Sequence, residues 1–166
     1  MIKKVILVLA AAIALPIAIN AQKFGVVNVE TVITSMPEYT KVGDQIAEAS
    51  KRYEDEFKKL QDEFDKKYAE FQGLGADVPD SIKERRMTEL NELAQKMDQF
   101  RSTAQQDLQK QQQTLMAPIE QRLIEAIKTV GKEGGYTFIL QDGQAIYTGG
   151  DVTDLTTTVK SKLGIK

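Results

Sequence analysis

The chain has 166 residues, 22 of them Lys or Arg and 24 Asp or Glu, and it contains no His and no Cys. That inventory excludes nucleophile–His pairs, cysteine nucleophiles and the usual zinc sites. Acidic and basic residues are interspersed, which argues against a basic stripe for nucleic acid. Paired acids such as Glu54-Asp55-Glu56 read as solvated helix surface, and Gly73-Leu74-Gly75 lacks the Lys and the strand–loop–helix setting of a phosphate loop. Neither a catalytic site nor a cofactor site is expected.

Residues 1–21 have the layout of a secretory signal peptide: a cationic start at Lys3-Lys4, an apolar run from Val5 to Ile19 softened by Pro16, and Asn20-Ala21 at the cleavage point. The run is about 15 residues, short of the roughly 20 that span a bilayer as a helix. A retained membrane anchor is the competing reading. No Cys lies near the cleavage point, so a lipid anchor on a mature N-terminal Cys is excluded. Gln22 would open a mature chain of one domain, residues 22–166. Lys3 and Lys4 are two of the 22 basic residues, so this portion carries 20 against 24 acidic residues, a formal charge of −4.

Lys23 to Val29 is short, apolar and β-branched, and predicts a strand. Ser35 and Glu38 have capping-box spacing with Pro37 between them, so a helix is expected from there. Along it Tyr39, Val42, Ile46, Ala49, Tyr53, Phe57, Leu60, Phe64, Tyr68 and Phe71 recur at steps of three and four, with polar residues between them. This is a single narrow seam, as in a coiled-coil arm. Gly73, Gly75 and Pro79 make a turn, and Ser81 to Glu84 offers a second capping box. Asp77, Asp80 and Glu84 at this turn could hold a weak calcium ion, but capping explains them better. The return helix carries Ile82, Arg86, Leu90, Leu93, Met97, Phe100, Ala104, Leu108, Gln111 and Leu115 at the same spacing. Two such helices should pack antiparallel as a hairpin arm, residues 36–118.

Pro118 is expected to kink the return helix. Beyond it Ile119, Leu123, Ile124, Ala126, Ile127 and Val130 widen the apolar face, which places the join between arm and body there. Gly131 to Gly135 ends the helix. Tyr136 to Gln141 then reads as a strand, Asp142-Gly143 as a hairpin turn, and Gln144 to Thr148 as the returning strand. Asp151 is the expected N-cap of a last helix through Val152, Leu155, Val159 and Leu163. The fold class is therefore mainly α with a small β body, residues 22–35 and 119–166, in which a long hairpin arm stands on a three-stranded sheet. About 60 residues bury a marginal core and an open sheet leaves unpaired edges, so a symmetric oligomer joined through the bodies is expected.

The arm has a further property. Its aromatic strip, Tyr53, Phe57, Phe64, Tyr68 and Phe71, faces Met87, Leu90, Met97 and Phe100, and two helices cannot fully surround large rings. Most of these contacts zip the hairpin, and the rest leave soft apolar surface suited to extended or unfolded chains. Taken with Phe24-Gly-Val-Val-Asn-Val29 and the tail Ile124-Glu-Ala-Ile-Lys, Tyr136-Thr-Phe-Ile-Leu, Ala145-Ile-Tyr and Asp151-Val-Thr-Asp-Leu155, the mature chain resembles the Skp/OmpH family.

The resemblance implies a homotrimer whose strands, around Val26, Phe138 and Ile146, form a shared β-barrel. It also implies a periplasmic holdase, independent of ATP, whose arms enclose unfolded outer-membrane β-barrel proteins. The client-contact candidates are Tyr53, Phe57, Phe64, Tyr68, Phe71, Met87, Leu90 and Met97. Well-known members are strongly basic and this chain is mildly acidic. Its best basic cluster is Lys83, Arg85 and Arg86, so lipopolysaccharide is a doubtful partner. The alternative is an exported coiled-coil spacer or adaptor with one specific protein partner.

Overall fold

The structure, a computed structural model, describes residues 22–165. The expected export segment, residues 1–21, lies outside them. Strand β1 (Lys23–Val27) is followed by a short helix α1 (Val29–Thr34) that the β-branched run did not predict. The strand ends two residues early because the Asn28 side chain accepts a hydrogen bond from the Thr31 N–H at 2.8 Å and caps a helix instead. Val32 and Met36 are thereby turned fully inward.

Helix α2 (Pro37–Gln72) and helix α3 (Asp80–Gly134) form the hairpin. At ~1.5 Å per residue they extend roughly 54 and 82 Å. Pro37 opens α2 as its composition demands, but neither capping box forms. Ser35 Oγ donates to the Thr31 carbonyl at 2.7 Å and so closes α1, and Met36 and Pro79 precede the two helices without side-chain caps. Pro118 lies inside α3, which does not end there but continues to Gly134. Gly135, at φ 67°, terminates it in the left-handed conformation that glycine adopts without a steric penalty.

Strand β2 (Tyr136–Gln141) and strand β3 (Val152–Asp154) flank β1 in the order β2-β1-β3, both parallel to it. This corrects two expectations. The turn at Asp142-Gly143 is present, with Gly143 at φ 81°, but Gln144 to Thr148 is not a strand. It returns the chain so that β3 can run parallel to β1 on the far side. The segment pairs with neither open edge of the sheet, and Ile146 and Tyr147 are left almost fully exposed. Val152 then belongs to β3 rather than to a helix, and the last helix is α4 (Thr156–Lys162). Asp154, not Asp151, serves its start, accepting from the Thr156 N–H at 2.9 Å and the Thr156 hydroxyl at 2.6 Å.

One core joins these pieces. Val27, Val32, Met36 and Val42 pack with Ile119, Leu123, Ala126 and Val130 of α3 and with Leu155, Val159 and Leu163 around α4. Beyond Val42 and Ile119 the buried apolar residues of the hairpin thin to Ala49, Leu60, Leu90, Leu93 and Ala104. Arg122 ties the base of the arm to the C-terminal end of the core. Its guanidinium donates to the Glu38 carboxylate and, at 3.2 Å, to the Leu163 carbonyl. A hydrogen bond from its own backbone N–H and the nearby Arg122 charge hold Glu38 below the usual carboxylate range.

Two stability predictions follow from this packing. A Cβ on Gly25 would sit 2.5 Å from Leu155 Cδ1, and Leu155 is buried in the core. Gly25→Ala should therefore cost about 1–3 kcal/mol through overpacking, read as a lower urea midpoint at unchanged slope. The second concerns Asp154, whose carboxyl is held below its ordinary value by the Thr156 hydroxyl first and the Thr156 N–H second. The Thr156 hydroxyl in turn accepts from the Asn28 N–H at 2.9 Å, coupling β1 to α4. A depressed carboxylate contributes stability above its unfolded value, near pH ~3.9, and loses it as pH falls through the folded one. The wild-type unfolding midpoint should fall more steeply below about pH 4 than that of Asp154→Asn.

Candidate functional site

The site candidates occupy three places. On the arm, the single seam of α2 meets that of α3 and its larger side chains are only partly covered. Phe100 stands against Tyr53 edge-on at 6.0 Å between ring centroids and against Phe57 at 6.4 Å and 26°. Phe64 and Tyr68 stack on each other, one turn apart on α2, at 6.1 Å and 7°. Tyr53, Phe57, Phe64, Phe71 and Met97 are half-buried, whereas Tyr68 and Met87 are 46% and 44% exposed. Leu90 differs from the other contact candidates. It is buried within the hairpin and offers no surface to another chain.

The sequence did not single out the polar bond that crosses the middle of the arm. Tyr53 Oη and Gln111 Nε2 both donate to the Asp107 carboxylate, each at 2.5 Å. The Tyr53 hydroxyl, then Gln111, lowers the Asp107 pKa, and the same carboxylate raises that of Tyr53. In sequence, Gln111 falls on the seam of the return helix, whereas Asp107 belongs to a Gln-rich stretch that reads as ordinary surface. The available signal was their spacing of four beside Leu108, which puts both along the seam.

At the tip, Lys83, Arg85 and Arg86 do not form a free cationic patch. Arg85 and Arg86 lie 3.7 and 3.1 Å from Glu89, Lys67 reaches the same carboxylate from α2 at 3.8 Å, and Lys83 is 4.0 Å from Asp80. Exposed pairs of this kind contribute little stability, but they divide the local charge. Asp77, Asp80 and Glu84 do not converge either. Among the described residues no group of three or more acidic side chains is placed to hold an ion.

On the body, period-two alternation and the register Phe24↔Phe138 and Val26↔Leu140 put these four residues on one face of the sheet. The opposite face carries Val27 and Ile139 into the core. Phe24 and Phe138 stack at 6.2 Å and 7°, yet they are 39% and 59% exposed and Leu140 is 45% exposed. Val26 and Phe138 thus share an uncovered apolar face. Ile146, in the return segment, is fully exposed and belongs to no strand.

A long antiparallel hairpin on a small parallel sheet, with an aromatic seam and an uncovered sheet face, is the architecture of a class of helical-arm proteins. The chain belongs to the family described as outer membrane protein, OmpH-like, whose pattern matches residues 23–163. Among solved structures, it is similar to a Caulobacter crescentus CB15 protein assigned as an OmpH-like outer membrane chaperone. The TM-score is 0.73 at 13% identity, over 86% of this chain and 83% of that one. At that identity the likeness is one of fold. No curated protein matches the chain.

Proposed function

We propose that this protein is a periplasmic chaperone that holds unfolded outer-membrane β-barrel proteins without nucleotide. Residues 1–21 act as its cleaved export signal. The observation that carries the proposal is the arm itself: two helices with no third layer, whose aromatic and Met side chains keep part of their apolar surface in solvent. Such surface binds through many weak and adaptable contacts rather than one fixed pocket. Family membership over residues 23–163 supports the same reading.

In this proposal three copies join through the bodies, with Phe24, Val26, Phe138 and Leu140 as the apolar centre of the interface. The sheet has open edges on β2 and β3, and the return segment around Ile146 has strand composition but no partner within its own chain. A second copy supplies what both need. Three arms then surround one client, and multivalency raises the effective concentration of individually weak sites. Lipopolysaccharide has no part in the proposal, because Glu89 and Asp80 already occupy the basic side chains of the tip.

The competing reading, a spacer with one specific partner, makes a different prediction. The test is a panel of unrelated unfolded β-barrel proteins diluted from urea in the presence of the mature chain, with aggregation followed by light scattering. Protection across the panel supports the holdase. Protection of one member alone, or of none, supports the spacer.

A further inference from the structure

The two sides of the arm are not equivalent. Seam positions on α2 and α3 are followed by one set of neighbours and preceded by another, and successive residues of a helix are set about 100° apart, so the two sets line opposite flanks of the hairpin. The following residues border a groove of about 280 Å³ floored by Tyr53, Phe57, Phe100, Ala104 and Leu108. The preceding residues, among them Glu48, Arg52, Asp107 and Lys110, border a larger groove that also exposes apolar surface but adds a set of charged groups around it. Both flanks expose apolar surface, and the groove at Phe57 is the less polar of the two.

The less polar groove has a cation at its rim. Arg101 lies over the Phe57 ring, 5.1 Å from its centroid. The guanidiniums of Arg52, Arg85, Arg86 and Arg122 each stand within ion-pair distance of a carboxylate. Among the described residues Arg101 has no such partner. The cation–π contact holds the guanidinium at the rim of the groove, where its N–H groups can meet an anionic group.

We infer that this groove takes an aromatic or branched apolar side chain of an extended polypeptide, and that Arg101 meets a carboxylate next to that side chain. The inference rests on the holdase reading and adds which flank of the arm faces the client and what the client offers there. The size fits. A volume of about 280 Å³ is below the range of small-molecule sites and has room for one large side chain. Because the chain has no Cys, a single introduced Cys reports its own position without interference.

The experiment places a benzophenone-maleimide on Ser50→Cys, at the less polar groove, and on Lys110→Cys, at the more charged one, in the otherwise intact mature protein. Each is irradiated with an unfolded outer-membrane β-barrel protein. Cross-linking should be several-fold greater from position 50. In parallel, a Ser/Thr/Gln peptide with one Phe-Asp step is compared with its Phe-Lys twin by fluorescence anisotropy. The Phe-Asp peptide should bind about two- to fivefold more tightly, the range of an exposed ion pair, and Arg101→Gln should abolish the difference. Equal cross-linking from both flanks, or a peptide ratio that Arg101→Gln does not change, overturns the inference. If clients are held but these differences are absent, the groove fails and the holdase reading stands. If no client is held, the holdase reading fails, and the peptides decide the groove alone.

Discussion

If three copies join through the sheet face as proposed, Phe138→Glu should leave the chain monomeric where the wild type assembles, with far-ultraviolet circular dichroism little changed. The side chain is 59% exposed in the single chain and stacks only on Phe24, itself 39% exposed, whereas its neighbour Ile139 faces the core. The substitution therefore costs the isolated fold little. In a trimer joined through this face it would bury an unpaired carboxylate, which costs several kcal/mol for each copy. Sedimentation equilibrium across a hundredfold range of concentration reads the outcome directly. A Phe138→Glu protein that still sediments as a trimer would move the interface elsewhere on the body.

The second large effect is on the fold. Met36 is 1% exposed, and it packs in the core where α1, the base of α2 and the C-terminal segment meet. Met36→Ala removes that packing and leaves a cavity, at an expected cost of about 2–5 kcal/mol. A body of this size has little stability to spare, so at 37 °C the variant should show no cooperative unfolding transition of its own. Tyr68→Ala, at an exposed seam position, should change the unfolding free energy by no more than about 0.5 kcal/mol. If the two variants prove equally stable, the core has been placed wrongly.

The two substitutions separate what was legible in the sequence from what was not. The hairpin was legible because its seam repeats through ten positions from Tyr39 to Phe71 and its turn carries two Gly and a Pro. Periodicity of that length leaves no competing reading. Pro118 and the widening apolar face beyond it were read as the join between arm and body, and Ile119 is the first buried residue of α3 in the cluster that includes the sheet and the last helix.

The body was harder to read because its elements are short and each is decided by one local contact. Asn28 turns a β-branched run into helix α1 by capping it. Ser35, in a well-formed capping-box spacing, bonds backward to Thr31 instead. Gln144 to Thr148 has the composition of a strand, but it pairs with neither open edge of its own sheet. Val152 was assigned to a helix because Asp151 is a good cap, but Leu155 precedes the helix and Asp154, three residues beyond Asp151, accepts from its first residue, Thr156.

The candidate site was legible in kind and not in orientation. The aromatic strip announced apolar surface along the arm, but a seam read as one line cannot say which flank is open. Ala104 and Leu108 were legible as seam positions, but Arg101 beside them emerges only when the partner helix is in place, as does the Asp107 bond to Tyr53. Leu90 shows the same limit from the other side. Its spacing equals that of the exposed candidates, and only the packing of α2 against α3 buries it.

The central claim is that the arms hold unfolded chains, and a titration tests it most directly. An outer-membrane β-barrel protein is diluted from urea, without nucleotide, into increasing amounts of the mature protein, and aggregation is followed by light scattering. The account predicts that aggregation is abolished near one trimer per client. Aggregation unchanged across a wide excess of folded trimer would contradict it.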